Sequence, residues 1–180
     1  MLSKTRSTAR RRHGESRLVR FAECDAPQWL ISGDVRWIMA SVSTYINTLG
    51  RTEEAFEFYR SVFGGEFGDL MRFRDMDMGP AADALSEDDL NKVLHISLEI
   101  LGGHVIEGTD AMASLGHQLT AGNNFSINLH PDSRDEADRL YSGLSVGSKD
   151  APGMADMPWG AYWGSFEDRF GIRWMINFAS

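Results

Sequence analysis

The chain has 180 residues, 42% of them hydrophobic and 24% charged, with a formal net charge of −8 and a single cysteine. That is the size and balance of one globular domain able to bury a core, and no apolar run approaches the ~20 residues that span a bilayer. An acidic body offers no basic face for phosphates, which argues against nucleic acid as a main partner. Cys24 alone allows no internal disulfide and points to a reducing, cytoplasmic setting.

Charge divides the chain. Residues 1–38 hold eight Lys/Arg and four Asp/Glu, whereas residues 39–180 hold ten and twenty-two. The leader has basic residues without a following apolar stretch, so it is no secretory signal. It lacks sustained periodicity, and Arg10, Arg11 and Arg12 read as part of a disordered tail. Met39 stands just before strand-like sequence, which suggests that 1–38 is an extension upstream of the natural start. The folded domain is expected over 39–180.

Val42 to Leu49 is rich in β-branched and aromatic residues and stops at Gly50, as a strand does. Thr52 is placed to cap the helix that follows, with Glu53 and Glu54 at its positive end. Ala55, Tyr59, Val62 and Phe63 recur at helical spacing, Phe56 and Phe58 widen that face, and Gly64-Gly65 closes it. Glu66 to Phe73 is the next strand, and residues 74–91 form a polar loop with room for a short helix. Lys92 to Ile100 alternates, with His95, Ser97 and Glu99 on one face and Leu94, Ile96, Leu98 and Ile100 on the other. Gly102-Gly103 turns the chain, and His104 to Gly108 completes a hairpin. The module 42–108 thus reads β-α-β-β-β.

A connector follows over 109–123. From Asn124 on, Phe125, Ile127 and Leu129 alternate with Ser126, Asn128 and His130. Ser133 and Glu136 have the spacing of a capping box, and Ala137, Leu140, Tyr141 and Leu144 form a helical apolar face. Residues 148–158 hold Pro152, Gly153 and Pro158 and include a short or edge strand. Ala161 to Phe166 and Ile172 to Phe178 flank a turn at Asp168-Arg169-Phe170-Gly171. The module 124–178 therefore repeats the first. A shared phrase marks the repeat: Ile46-Asn47 precedes Glu54-Ala55-x-x-x-Tyr59, and Ile127-Asn128 precedes Glu136-Ala137-x-x-x-Tyr141.

Each module must bury one face of its sheet. The expected fold is α+β, with tandem βαβββ modules in a cupped, mostly antiparallel assembly. A cup lined from both halves is the usual kind of place for a small molecule.

Two such modules in tandem resemble the vicinal oxygen chelate superfamily of glyoxalase I, extradiol dioxygenases and bleomycin-resistance proteins. The resemblance is to its PhnB-like branch, once labelled 3-demethylubiquinone 3-methyltransferase. It is carried by Tyr45-Ile46-Asn47, by Glu54-Ala55-Phe56-x-Phe58-Tyr59-x-x-Val62-Phe63-Gly64-Gly65, and by His95 with Gly102-Gly103 and Thr109-Asp110. Trp159-Gly160-Ala161-Tyr162-Trp163-Gly164 and Asp168 to Asn177 complete the set. The resemblance implies a glyoxalase-like fold and a homodimer. It does not supply the cofactor-binding α/β sheet that a methyltransferase needs.

Metal enzymes of that superfamily hold a divalent ion between the first and last strands of each module. Carried over, those positions fall near Thr44 (or Tyr45, one residue on), on Glu107, near Asn124 and near Met175. Glu107 alone is a suitable ligand, and a transition-metal site needs three or four. The expectation is therefore a protein without the usual metal that binds a small molecule in the cup through Tyr45, Asn47, His95, Glu107, Asn128 and Trp163. The tryptophan would stack on a flat ligand. One alternative is a lyase, isomerase or dioxygenase with Zn, Ni, Fe or Mn at a shifted site that includes Glu107. The other is a non-catalytic interaction module. No nucleophile elbow, P-loop or dinucleotide fingerprint is present.

Overall fold

The computed structural model describes residues 40–79 and 85–179. The expectations for 1–38, for Met39 as a start and for Cys24 lie outside those residues. The first module runs β1 (Thr44–Thr48), α1 (Thr52–Phe63), β2 (Phe67–Arg72), a short helix α2 (Glu87–Asn91), β3 (Val93–Glu99) and β4 (Val105–Asp110). The second runs β5 (Ile127–Leu129), α3 (Arg134–Leu144), β6 (Ala155–Asp156), β7 (Ala161–Glu167) and β8 (Arg173–Ala179).

Each module builds one four-stranded sheet, in the orders β1-β4-β3-β2 and β5-β8-β7-β6. The outer pairs β1–β4 and β5–β8 are parallel, and the other pairs are antiparallel. This is the α+β, two-module glyoxalase-like fold expected from the repeat, with two mixed sheets, neither closed on itself. Burial alternates along β1, β4, β7 and β8, so each sheet has an inner face and an open one.

The inner faces share one core with both helices. Ala55, Phe56, Tyr59 and Val62 of α1 and Ala137, Leu140, Tyr141 and Leu144 of α3 are buried in it, with Ile96, Ile106, Trp174 and Ile176 from the sheets. The modules meet around Trp174, whose ring lies 5.4 Å from Tyr59 and 5.8 Å from Phe63. Arg139 of α3 donates to the Val62 carbonyl at 2.7 Å. Helix and sheet approach closely at two glycines. A Cβ on Gly108 would fall 2.5 Å from the Phe56 ring, and one on Gly164 would fall 2.7 Å from Tyr141.

Three local expectations change. Thr52 does not cap α1: its hydroxyl meets Thr48 at 2.9 Å, and its own N–H donates to Asp110 at 3.0 Å. A carboxylate brought in by β4 has taken over the capping task. Ser133 does accept from the Glu136 N–H at 3.1 Å, but the Glu136 carboxylate turns to Arg139 instead of closing the box. The fifth strand is short, so Asn124 and the 66%-exposed Phe125 precede it and belong to the connector.

Candidate functional site

Period-two alternation puts four of the six expected site residues on the open face of the first sheet. Tyr45 lies opposite Glu107, Asn47 lies opposite Thr109, and Ser97 of β3 flanks Glu107 from the other side. Ser43 donates to the Glu107 carboxylate. The rings of Tyr45 and His95 are 6.1 Å apart and tilted. Partial burial raises the Tyr45 hydroxyl pKa, the Glu107 charge raises it further, and Thr109 acts in the opposite direction.

The other two expected residues lie on the open face of the second sheet. Asn128 is opposite Met175, and Trp163 is opposite Asn177. Asn128 and His130 are within hydrogen-bond distance at 3.0 Å. The Asn177 Oδ1 is buried without a hydrogen-bond partner.

The register also corrects the metal positions. The residue in line with Glu107 is Tyr45 and not Thr44, whose hydroxyl pairs with His104 at 2.9 Å. The residue in line with Met175 is Asn128 and not Asn124. The set is thus a phenol, a carboxylate, an amide and a thioether. One carboxylate in such company does not fit a transition-metal ion, which needs imidazole, carboxylate or thiolate donors in number. Among the described residues, no three His, Cys, Asp or Glu side chains converge as a metal site would require.

Concave space lies beside these faces. A cavity of about 380 Å³ opens where the two modules meet. β1 supplies Asn47, Leu49 follows just past its end, the connector supplies Leu119, Ala121 and Phe125, and the second module supplies Phe170, Ile172 and Arg173. Most of these side chains are apolar, and the volume is that of an ordinary small-molecule pocket. Asn47 also borders a neighbouring hollow with Thr109 and His117. Asn128 lines a separate one with Thr44 and His104. A larger cavity, about 620 Å³, is walled mainly by charged and polar groups of the second module, among them Lys149, Asp150, Glu167 and Arg169. The junction cavity is the stronger candidate because both modules build it and most of its lining is apolar.

Two arginines edge that cavity in different states. Arg51 grips Glu54 with two nitrogens, at 3.0 and 3.1 Å, and lies 4.6 Å over the Phe170 ring. That fork holds the Glu54 carboxyl below its ordinary pKa. Arg173 has a buried Nε without any acceptor, and its nearest carboxylate, Glu167, stands at 3.7 Å.

Sequence reasoning reached Asn47 but missed Leu119, Ala121 and Arg173. Leu119 and Ala121 sat in a segment read as a linker, where apolar residues in polar surroundings were the available signal. Arg173 lay inside the Asp168 to Asn177 stretch that carried the resemblance, but no functional role was assigned to it.

No protein-family model matches the chain. It is 24% identical over 142 residues to Protein YjdN of Escherichia coli K12, an alignment covering 76% of this chain and 93% of that protein. Among solved structures, protein PA1353 from Pseudomonas aeruginosa superposes with a TM-score of 0.64 at 27% identity, over 78% of this chain and 98% of that one. A PhnB protein from Bacillus cereus superposes with a TM-score of 0.60 at 20% identity, over 78% of this chain and all of that one, 100%. The chain has the fold of the vicinal oxygen chelate superfamily, and the solved structures it resembles include a PhnB-like member.

Proposed function

We propose that the chain binds a small, largely apolar organic molecule in the cavity at the module junction, in the cytoplasm and without the metal centre of its superfamily's enzymes. The observation that carries this is the cavity itself, with an apolar wall drawn from Leu49 just past β1, from Leu119, Ala121 and Phe125 of the connector, and from Phe170 and Ile172 of the turn before β8. The mismatch between a metal ion and the set Tyr45, Glu107, Asn128 and Met175 supports the second half. Tyr45, His95 and Glu107 then act as a polar patch beside the ligand and not as a ligand set.

Calorimetric titration with naphthamide, a flat neutral probe, tests the site. Saturable binding is expected, weakened about tenfold or more by Leu119→Glu, because a charge on an apolar wall must be desolvated when the probe enters. Absence of saturable binding, or binding that L119E leaves unchanged, would remove the junction cavity from consideration.

A further inference from the structure

We propose that Phe125 limits the length of the molecule the junction cavity accepts, so that the ligand is a compact ring system and not an elongated one. This rests on the binding role proposed above and names the shape of the molecule bound.

Two hollows lie along β1, and Phe125 is the residue they share. The junction cavity, about 380 Å³, borders the far end of the strand at Asn47 and Thr48. A second hollow, about 360 Å³, borders its beginning at Thr44 and continues along His104, Ile127 and His130. Thr44 and Asn47 are three residues apart, about 10 Å at the rise of a strand, so a single elongated molecule has the reach to enter both. Of the residues that line the two hollows, Phe125 alone borders both. β1 and β5 each end their sheets and do not pair with one another, so no backbone ladder separates the two spaces. The division falls to a side chain, and the Phe125 ring is 66% exposed instead of folded into the core. Polarity does not choose between the hollows, since Leu49 and Leu119 wall one and Leu101 and Ile127 wall the other. Bulk at position 125 does: it leaves a short ligand untouched and stops a longer one of the same chemistry.

The test uses the full chain and two flat neutral probes, naphthamide and the same molecule lengthened by a phenyl ring, titrated by calorimetry. In the unmodified protein the longer probe is expected to bind no more tightly than the shorter, because its added ring stops at Phe125. Phe125→Ala should open the second hollow to that ring. The longer probe should then bind about tenfold or more tightly than naphthamide, the worth of a phenyl group removed from water. Phe125→Trp, which keeps the bulk, should behave as the unmodified protein. Because Phe125 is exposed, neither substitution removes core packing. In F125A the imidazole C–H resonances of His104 and His130 should shift with the longer probe and not with naphthamide, which locates the added ring. Tighter binding of the longer probe by the unmodified protein, or a length preference that F125A leaves unchanged, would overturn the role of Phe125 and leave the junction cavity standing. Histidine resonances that stay still while the preference changes would put the added ring elsewhere and overturn it as well. If neither probe binds, the cavity itself is wrong and the assignment falls with it.

Discussion

Among the described residues, each module buries one carboxylate, Asp110 in the first and Asp168 in the second, and the two tie together different parts of the molecule. Asp110 serves its own module: it accepts from the Thr48 hydroxyl at 3.0 Å, from the Thr52 N–H at 3.0 Å and from the Val93 N–H at 2.9 Å. It thereby joins the end of β1, the start of α1 and the start of β3. Asp168 serves the junction. It accepts from the Phe170 and Ile172 N–H groups of its own turn at 2.8 and 3.0 Å, from Trp174 Nε1 at 2.8 Å, and from the Tyr59 hydroxyl of α1 at 2.8 Å. The first carboxylate closes a local loop of structure, while the second fastens one module to the other and fixes the turn that walls the junction cavity.

The largest expected effects follow from that division. Asp168→Ala should lower unfolding free energy by about 4 kcal/mol and Asp110→Ala by about 3 kcal/mol, because each buried donor left behind costs roughly 1–3 kcal/mol and partial access to water recovers some of it. Urea unfolding followed by tryptophan fluorescence and by far-ultraviolet circular dichroism measures both. In the Asp168 variant the fluorescence transition should precede the other, since Trp174 reports the junction. In the Asp110 variant the two should coincide. The reverse pattern would mean that Asp110 holds the modules together.

A smaller effect compares the two close approaches of helix and sheet. A methyl on Gly108 meets the Phe56 ring at 2.5 and 2.9 Å and Thr52 Cγ2 at 3.0 Å, and both neighbours are fully buried. A methyl on Gly164 meets Met154 Sδ and the Tyr141 ring, each at 2.7 Å. The thioether is flexible and only partly buried. Gly108→Ala should therefore cost about 2 kcal/mol and Gly164→Ala about 1 kcal/mol, measured by the same titration. A larger loss at Gly164 would show that the second module is the more tightly packed one.

Residue patterning made the fold readable, and the limits of that reading are physical. Alternation in β3 and helical spacing in α1 and α3 are local signals, so the elements, their order and the shared face of His95, Ser97 and Glu99 followed directly. The place of Tyr45, Asn47 and Glu107 on that same face depends on cross-strand register that no single strand announces. Thr52 misled because capping was judged from its neighbours, whereas the acceptor that takes its N–H stands 58 residues away in sequence. The junction cavity was hidden for the same reason. Its wall forms only when the connector carrying Leu119 folds back beside Asn47, and no periodicity within the connector announces that return.

Alkaline pH separates the two carboxylates again. Only Asp168 has a titratable donor as partner, the Tyr59 hydroxyl. Burial raises that hydroxyl pKa well above its ordinary value of 10.0, and the Asp168 charge and hydrogen bond raise it further. The folded state therefore holds the Tyr59 proton more tightly than the unfolded state does. The stability this represents is fully present below pH 10.0, the unfolded value, and is lost as pH rises from there through the folded value, because the unfolded chain gives up the proton first. Tyr59→Phe removes the titrating group. At neutral pH it should cost about 1 kcal/mol, the net worth of one hydrogen bond to a charged acceptor less partial recovery by the other donors on Asp168. Above pH 10 the gap between Tyr59→Phe and the unmodified protein should narrow, since only the unmodified protein continues to lose stability through this group. Melting temperatures of the two proteins, taken stepwise from neutral pH upward, measure that gap. A gap that stays constant or widens with pH would place the fastening of the modules elsewhere than on the Tyr59–Asp168 bond.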